Sequence, residues 1–445
     1  MVEPDVIVIG GGPAGLAAAT EITTSGYLVE LVEQRNSLGG AVHRQPANGV
    51  AHVPQASGVR ASWERVLKAF SAAQIPVRYQ SVFLGVDGDG FTLIENRQTG
   101  QVELSRPKAI IIATGAVEKV FPRPGWQLPG VSSAGGLQVM MKETGQAPKG
   151  RVLLAGTGPL LVAVAAQMAK LGNPPVAIVE AGDPLRQFRA GLKLLSDPTL
   201  LREAAGYLTS VALRRIAWLR GARIIAIEDY GKSLRALIRD SGGFERSFTV
   251  DRIGLHDGIR PNDFGMPGHG TAPLSGPFIF SAGDCREALG ATAAEMDGYR
   301  VGRTVTDLLL GHPGTGDLTT TLQRSRRTQA NLATLFAPAH PASPFTDLPD
   351  DTILCRCESK TVGDLRRLCN QADRLSGREV KHNGRFAMGA CQGRFCAENT
   401  ASLMAQINPG EPQPLTEDLI GRRWPLRPVS IAALTRAHPI ETESQ

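Results

Sequence analysis

Cysteine is scarce in this chain: six in 445 residues, five of them among the last hundred. So sparse and lopsided a set excludes a disulfide framework. No run of about 18 apolar residues occurs, which excludes a membrane-spanning helix. The first apolar strand begins at about Asp5, leaving no room for the charged, apolar and cleavage regions of a secretory leader. The expectation is a soluble, cytoplasmic protein in a compartment where free thiolates survive to bind metal. Charge of one sign is also lacking, since 48 basic residues stand against 42 acidic ones. The densest basic runs, Arg324 to Arg327 and Arg422 to Arg427, read as linker or tail, and Trp424 alone is not an interleaved aromatic platform, so nucleic acid is excluded as a partner. G-x-S-x-G, H-E-x-x-H and C-x-x-C are all absent, which excludes the hydrolase, zinc-protease and disulfide-reductase chemistries they carry. His43, His52, His256 and His269 stand alone in glycine- or proline-rich stretches and read as surface or turn residues, so no catalytic acid–base pair is legible.

What is present is an ordinary globular composition, 42% hydrophobic and 20% charged, in a chain long enough for about two to four domains. Fifty glycines fit a fold that repeatedly brings backbone close to a ligand or a helix. Asp5 to Ile9 (DVIVI), a glycine turn, an alanine-rich helix to about Ser25 and a strand over Leu28 to Val32 make one β-α-β unit. Trp63 to Ala72 has helical spacing, Phe83 to Leu104 reads as a meander, and Ala109 to Ala113 is a buried strand. A second β-α-β unit opens at Arg151 and ends its second strand on Glu180. Pro198 to Arg220 reads as helix, Ile224 to Leu255 as strands, Phe278 to Ala282 as a buried strand, Thr292 to Leu310 and Leu322 to Leu335 as helices, and Ala337 to Asp350 as linker. The predicted architecture is α/β: two Rossmann-like nucleotide-binding domains followed by a small, α-rich cysteine module. Its segments are 1–120 (first Rossmann segment), 121–255 (inserted second unit), 256–312 (return to the first), 313–350 (helix and linker), 351–407 (cysteine module) and 408–445 (a tail that docks or frays).

Gly10, Gly12 and Gly15 form G-x-G-x-x-G between a strand and a helix, with Pro13 and Ala14 inside the turn. In that context the first glycine allows the tight turn, the second admits a pyrophosphate to the backbone, and the third lets helix and strand pack. Glu33 ends the second strand, where a carboxylate accepts both hydrogens of an adenosine ribose diol and repels a 2′-phosphate. The site reads only the ADP half of FAD, NAD or ATP. The second turn, Gly156-Thr157-Gly158-Pro159-Leu160-Leu161, has leucine in place of the third glycine. Glu180 stands where a ribose-binding acid would, so the choice there lies between a bound nucleotide and a retained fold with a degraded or repurposed pocket.

Cys355-x-Cys357 and Cys391-x4-Cys396 offer four thiolates from two short loops, the number that two irons bridged by two sulfides require. Arg356 and Arg394 can offset the negative charge of such a cluster, and Gly389 and Gly393 free backbone N–H groups to approach the sulfurs. Structural zinc is the rival, although C-x-C is an unusual pair for it; an empty, reduced set is the third reading. Cys369 and Cys285 read as buried packing thiols.

Leu38-Gly39-Gly40 after the acidic strand, Ala113-Thr114-Gly115 after a buried strand, and Phe280-Ser281-Ala282-Gly283-Asp284 resemble the motifs of glutathione-reductase-like flavoproteins. That resemblance favours FAD and implies that Asp284 contacts the ribityl and phosphate region. VIVIGGGPAGLAAA from Val6, IIIATGAVEKVFPRPGWQLPGV from Ile110, AGTGPLLVAVAAQ from Ala155, LCRCE, MGACQGRFC and RPVSIAAL resemble more narrowly the α-type subunit of heteromeric flavin-dependent amine and amino-acid dehydrogenases. This group includes opine oxidases, hydroxyproline dehydrogenase and hydrogen cyanide synthase. The cysteine module is similar to a bacterioferritin-associated-ferredoxin-type 2Fe-2S domain.

The resemblance implies an oxidoreductase subunit for CH–NH or CH–NH2 donors, with substrate chemistry on a β-type flavoprotein partner. Electrons from the amine would pass by flavin and a 2Fe-2S cluster to an acceptor. It further implies FAD, or NAD or ATP, in the first site, FMN at a subunit interface in some relatives, and a small ferredoxin-like third subunit. The sequence departs from the family in a short stretch from Asp257 to Ser275 and in Ala41, where relatives often have glutamine. The alternatives are a nucleotide-binding scaffold without electron flow and a self-contained NADH-dependent flavin reductase.

Overall fold

A computed structural model of the chain describes residues 3–53, 57–263, 265–266, 276–312, 319–339, 344–345, 347–370, 374–410, 413–421 and 425–439. Two five-stranded parallel sheets organise it. The first runs β18 (Phe278–Ser281), β7 (Ala109–Ile112), β1 (Val6–Ile9), β2 (Val29–Val32) and β3 (Val77–Arg78), with β1 in register against both neighbours. Its strands are short runs of Val and Ile because helices cover one face and an antiparallel meander the other, so no polar alternation is needed. Helix α1 (Pro13–Thr24) packs against α7 (Ala291–Leu309) through a stripe of small residues. A Cβ on Gly298 would stand 2.2 Å from the Ala14 carbonyl oxygen, so glycine sets how closely these helices approach. Helix α2 (Ser57–Ala72) flanks α1 through Val66 and Phe70.

A meander of β4 (Ser81–Val86), β5 (Thr92–Asn96) and β6 (Gln101–Ser105) stands beside this sheet. The C-terminal tail docks on it. There β21 (His438–Pro439) pairs with β6, the Leu426 N–H donates to the Leu84 carbonyl at 2.7 Å, and Ala433 of α13 (Ile431–Thr435) is buried.

The second sheet runs β12 (Ala217–Arg220), β11 (Ala177–Glu180), β10 (Val152–Gly156), β16 (Arg252–His256) and β9 (Val131–Ser133). Helices α3 (Ala134–Thr144), α4 (Pro159–Lys170) and α6 (Pro198–Leu213) surround it, and an antiparallel sheet of β13 (Ala222–Tyr230), β14 (Ser233–Asp240) and β15 (Glu245–Val250) covers its other face. The helix expected over Pro198 to Arg220 stops at Leu213. Arg215 takes φ +50, which a helix cannot continue, and the last residues of the span form the edge strand β12. Short helix α5 (Phe188–Lys193) lies against α8 (Thr319–Leu335), the helix expected over Leu322 to Leu335, which carries Arg324 to Arg327. The two Rossmann units are joined by the ribbon of β8 (Ala116–Glu118) and β17 (Ile259–Pro261).

The cysteine module holds β19 (Ile353–Cys355), β20 (Lys360–Thr361), α9 (Val362–Cys369), α10 (Gly377–Gly384), α11 (Ala397–Ile407) and α12 (Thr416–Ile420) around its own core. Capping boxes at Thr361/Asp364 and Ser376/Glu379 start α9 and α10. Cys369 is buried in that core. The module seats on the ribbon side of the Rossmann units: Val117 and Phe121 pack on its core, and Asn399 donates to the Val120 carbonyl at 3.1 Å. The indole N–H of buried Trp126 donates to the Ile353 carbonyl at 2.6 Å, while Arg356 lies over its ring at 5.1 Å. Trp126→Ala removes both contacts and leaves a large cavity, so it should cost about 3–5 kcal/mol. Urea melts should show that loss, and limited proteolysis should cut first near residue 350. No described helix is long and apolar enough to cross a membrane.

Candidate functional site

The sequence-predicted residues of the first unit gather at the C-terminal ends of β1, β2, β7 and β18. Gly10 sits at φ +111, and a Cβ there would stand 2.4 Å from the Ala113 carbonyl oxygen; one on Gly15 would stand 1.9 Å from that of Gly10. Packing alone demands these two glycines. Gly12 differs: its φ is −85, open to any residue, and the nearest atom to a Cβ would be the Gly40 Cα at 3.9 Å. Its bareness leaves a cradle in front of the first turn of α1, whose N1 residue is Pro13 and where Ala14 is buried. A ligand phosphate is what that space and those N–H groups suit.

Glu33 caps the cradle on one side. Its carboxylate accepts from the Gly11 N–H at 2.7 Å and the Arg35 N–H at 2.9 Å. Gly39, at φ +121, donates to the Gly11 carbonyl, and Gly40, at φ +63, lies against Gly12. On the other side Ala113 donates to the Ile9 carbonyl, the Thr114 hydroxyl to the Asn262 carbonyl at 2.8 Å, and Gly115 turns at φ +74. Gly283 turns at φ +72 and donates to Asp297 at 2.8 Å, and Asp284 accepts from the Leu289 and Gly290 N–H groups at 3.0 Å. Burial pushes the Asp284 carboxyl above its ordinary range. Cys285 beside it is buried and donates to the Ile112 carbonyl at 2.9 Å, a packing role.

A basic group escaped the sequence reading. Buried Lys142 donates to the Ala41 and Val42 carbonyls at 3.1 and 2.9 Å, and desolvation with Arg44 nearby pulls it down to about 8. Arg44, also buried, and Arg35 both reach Glu143, at 3.3 and 2.8 Å. His43, expected at the surface, is buried and stacked on Trp63 at 5.0 Å; burial pulls it down to about 4. The one signal in the sequence is that His43-Arg44 follows the paired glycines by three residues.

The second glycine turn keeps its shape and loses half its opening. Leu161, in the third-glycine position, is fully buried. Glu180 is fully buried and accepts long hydrogen bonds from the Gly158 N–H at 3.3 Å and the Gly182 N–H at 3.2 Å; desolvation, the largest influence on it, pushes it up to about 8. The chain's own residues 336–339 lie over it. The Thr157 hydroxyl donates to the Phe336 carbonyl at 2.7 Å, Ala339 N–H to the Ala181 carbonyl at 2.9 Å, and Gly182 bridges to Pro338.

A carboxyl whose folded pKa is raised folds with a bound proton that the unfolded chain gives up above about pH 4.5. Its contribution to stability is therefore fully present below that pH and lost as pH rises to about 8. Glu180→Gln should flatten this decline and exceed the wild type by on the order of 3 kcal/mol at pH 8, read from urea melts at pH 5, 6.5 and 8.

His256 is a second correction. Far from a turn on the surface, it ends β16 with 4% exposure, and its Nδ1 donates to the Glu118 carboxylate at 2.7 Å. Glu118 also accepts from the Gly135 N–H, at the start of α3, at 2.9 Å. A buried acid–histidine pair therefore exists. His52 is exposed as expected, and His269 lies outside the described residues, as do positions 264 and 267–275 of the stretch that departs from the family.

The four cysteines come from the end of β19, the turn after it, the loop before α11 and the α11 N-terminus. They stand as two thiol pairs, Cys355 with Cys396 and Cys357 with Cys391. The Cys396 partner pulls the Cys355 thiol down to about 6, and the same contact pushes Cys396 far up. Cys355 and Cys396 are buried, Cys391 is half-buried and Cys357 is exposed. Among the described residues no three His, Cys, Asp or Glu side chains form a ready-made metal-ligand set. A Cβ on Gly389 would stand 2.3 Å from the Cys357 Cβ, so the two cysteine loops meet flush. Arg394 donates to the Cys391 and Leu426 carbonyls, which holds its charge beside the loop.

Comparison with known proteins agrees with this frame. The chain is 29% identical over 476 aligned residues to an opine oxidase subunit of Agrobacterium tumefaciens (strain Ach5), covering 97% of this chain and 91% of that one. It is 28% identical over 473 residues to the hydrogen cyanide synthase subunit HcnB of Pseudomonas protegens, covering 96% of each. Among solved structures, L-proline dehydrogenase from P. horikoshii superposes with a TM-score of 0.66 at 18% identity, over 97% of this chain and 79% of that one, a likeness of fold. Residues 4–298, which hold both glycine turns and the strand ends that gather around the first, match the family model of pyridine nucleotide-disulphide oxidoreductases, and the chain belongs to that family.

Proposed function

We propose that the chain is the electron-transferring subunit of a heteromeric, flavin-dependent amino-acid or opine dehydrogenase. The observation that carries this reading is that four cysteines, from two loops 33 residues apart, stand as two thiol pairs in a module seated against a dinucleotide-type fold. In this reading Gly10, Gly12, Pro13, Ala14, Gly15, Glu33, Gly39, Gly40, Ala113, Thr114, Gly115, Gly283 and Asp284 hold FAD, with NAD or ATP as the other ligands of the same ADP site. Cys355, Cys357, Cys391 and Cys396 hold a 2Fe-2S cluster. When bound, the flavin supplies two-electron and the cluster one-electron capacity.

The protein's own work is to bind and orient. Gly12 admits the diphosphate, Glu33 accepts the ribose hydroxyls, and Arg394 offsets the charge of the thiolates. That the relatives are named as subunits supports a partner, which we take to be a β-type flavoprotein that oxidises CH–NH or CH–NH2 donors. An interfacial FMN and a small ferredoxin-like subunit complete the proposed assembly, which we place in the cytoplasm. The covering of Glu180 by residues 336–339 speaks against a self-contained NADH-dependent reductase.

The test is the visible spectrum of the anaerobically purified protein. Overlaid flavin and iron–sulfur absorption, with no bleaching by NADH alone, is the expected result. Absence of both chromophores after reconstitution overturns the proposal, and rapid bleaching by NADH favours the self-contained reductase.

A further inference from the structure

Large apolar side chains scattered singly over a surface are ordinary, but a run of them is not. Leu185, Phe188, Leu192, Leu195, Leu208 and Leu213 stand between 44% and 78% exposed in one segment of the second Rossmann unit. The segment connects β11 to β12 and comprises α5, a 3-10 turn (Leu194–Ser196) and α6. Its inner side is fixed. Ala190 and Leu194 are buried, a Cβ on Gly191 would meet the Leu335 side chain of α8 at 3.7 Å, and Arg324 of α8 donates to the Ser196 carbonyl at 2.8 Å. Residues 185, 188, 192 and 195, three and four apart, therefore form one stripe on the outer side. On α6, Val211 packs inward with Tyr207, which leaves Leu208 and Leu213 outside.

The charges around this stripe have one sign. Arg186, Arg189, Lys193, Arg202, Arg214 and Arg215 are exposed, and no acidic side chain between Leu185 and Arg215 is. Both acids in that span are engaged locally: Asp197 caps α6 by accepting from the Leu200 N–H at 3.2 Å, and Glu203 accepts from the Tyr207 hydroxyl at 2.6 Å. Asp183, just before the span, pairs with Arg186 at 3.2 Å. A second copy of the chain would set like charge against like charge, so the face is not self-complementary. Leucine dominates it, where a protein interface favours Tyr, Trp and Met, and the side chains protrude into solvent. Leu185, Phe188 and Leu192 are each followed by a basic residue. Protruding Leu and Phe interleaved with Arg and Lys are the composition of a surface that lies in the boundary layer of an anionic bilayer.

We propose that the face formed by α5, the turn after it and α6 is a peripheral membrane-docking surface. Its apolar side chains seat at the boundary of the acyl chains, and its basic ones meet anionic phospholipid headgroups. The inference uses none of the residues assigned to FAD or to the cluster, so it stands or falls separately from them.

The test mixes the full chain with vesicles of phosphatidylcholine alone, or with about a third phosphatidylglycerol, and reads co-flotation and amide hydrogen exchange. Expected are flotation with the anionic vesicles that falls as salt is added, at least about tenfold weaker association with the neutral ones, and exchange slowed over residues 185–213. Phe188→Ser with Leu192→Ser, and separately Arg189→Gln with Lys193→Gln, should each weaken association at least about tenfold. All four side chains are exposed, so urea melts of both variants should match the wild type. No flotation with either vesicle, flotation unchanged by either pair of substitutions, or protection confined to other residues would overturn the proposal. Self-association or binding of an acidic partner subunit that the Phe188 and Leu192 substitutions abolish, in a chain that binds no vesicle, would assign the face to protein instead.

Discussion

Cys391→Ser is expected to lose the iron–sulfur absorption, and with it turnover with artificial acceptors in the assembled enzyme, while flavin content and assembly with the partner stay intact. Cys391 is half-buried in the loop before α11, paired with the exposed Cys357, so its replacement disturbs little packing. A serine hydroxyl is a far weaker iron ligand than a thiolate, and three remaining thiolates do not complete the set that two irons require. A scaffold without electron flow predicts the reverse: lost assembly, with no iron to lose. Iron content, absorption and size-exclusion profiles of the variant separate the two outcomes.

Two neighbouring glycines provide the second large effect, with opposite consequences. Gly15→Ala drives a Cβ to within 1.9 Å of the Gly10 carbonyl oxygen, where nothing flexible can yield. The fold should lose about 3 kcal/mol or more. Gly12→Val should cost the fold no more than about 1 kcal/mol, the effect of a poorer helix cap, because its φ of −85 is ordinary and its space is free. That free space is the ligand's in our account, so affinity for FAD should fall roughly a hundredfold. Melting curves without ligand and flavin titrations measure the two terms separately. Equal flavin affinity in Gly12→Val and the wild type would remove the pyrophosphate from the cradle.

Much of this frame was legible because its determinants are local. The turn from Gly10 to Gly15, the acid at Glu33 and the apolar runs of β1, β7 and β10 each state their structure within a few residues. The pair of His256 with Glu118 is not local: 138 residues separate them, and only the pairing of β16 with β10 and of β17 with β8 brings them together. No spacing rule could reveal it, and a lone histidine before Asp257-Gly258 resembles any turn residue. The sealing of Glu180 was hidden for a related reason. Residues 336–339 look like linker because their contribution is made by backbone, whose carbonyl at Phe336 and N–H at Ala339 carry no side-chain signature. The strand at Ala217–Arg220 was lost to helical propensity, and the positive φ of Arg215 that breaks the helix follows from the packing of β12 on β11. The cysteines lie between these cases. Their spacing announced four thiols, and the fold brings them together as two pairs.

In the proposed assembly these pairs open to hold one cluster beside a flavin-binding frame. Iron and acid-labile sulfide, measured per chain on protein purified without oxygen, address it most directly. About two of each are expected, with a rhombic electron-spin resonance that appears on reduction. Zinc at about one per chain, or four alkylatable thiols with no metal and no sulfide after reconstitution, would contradict it.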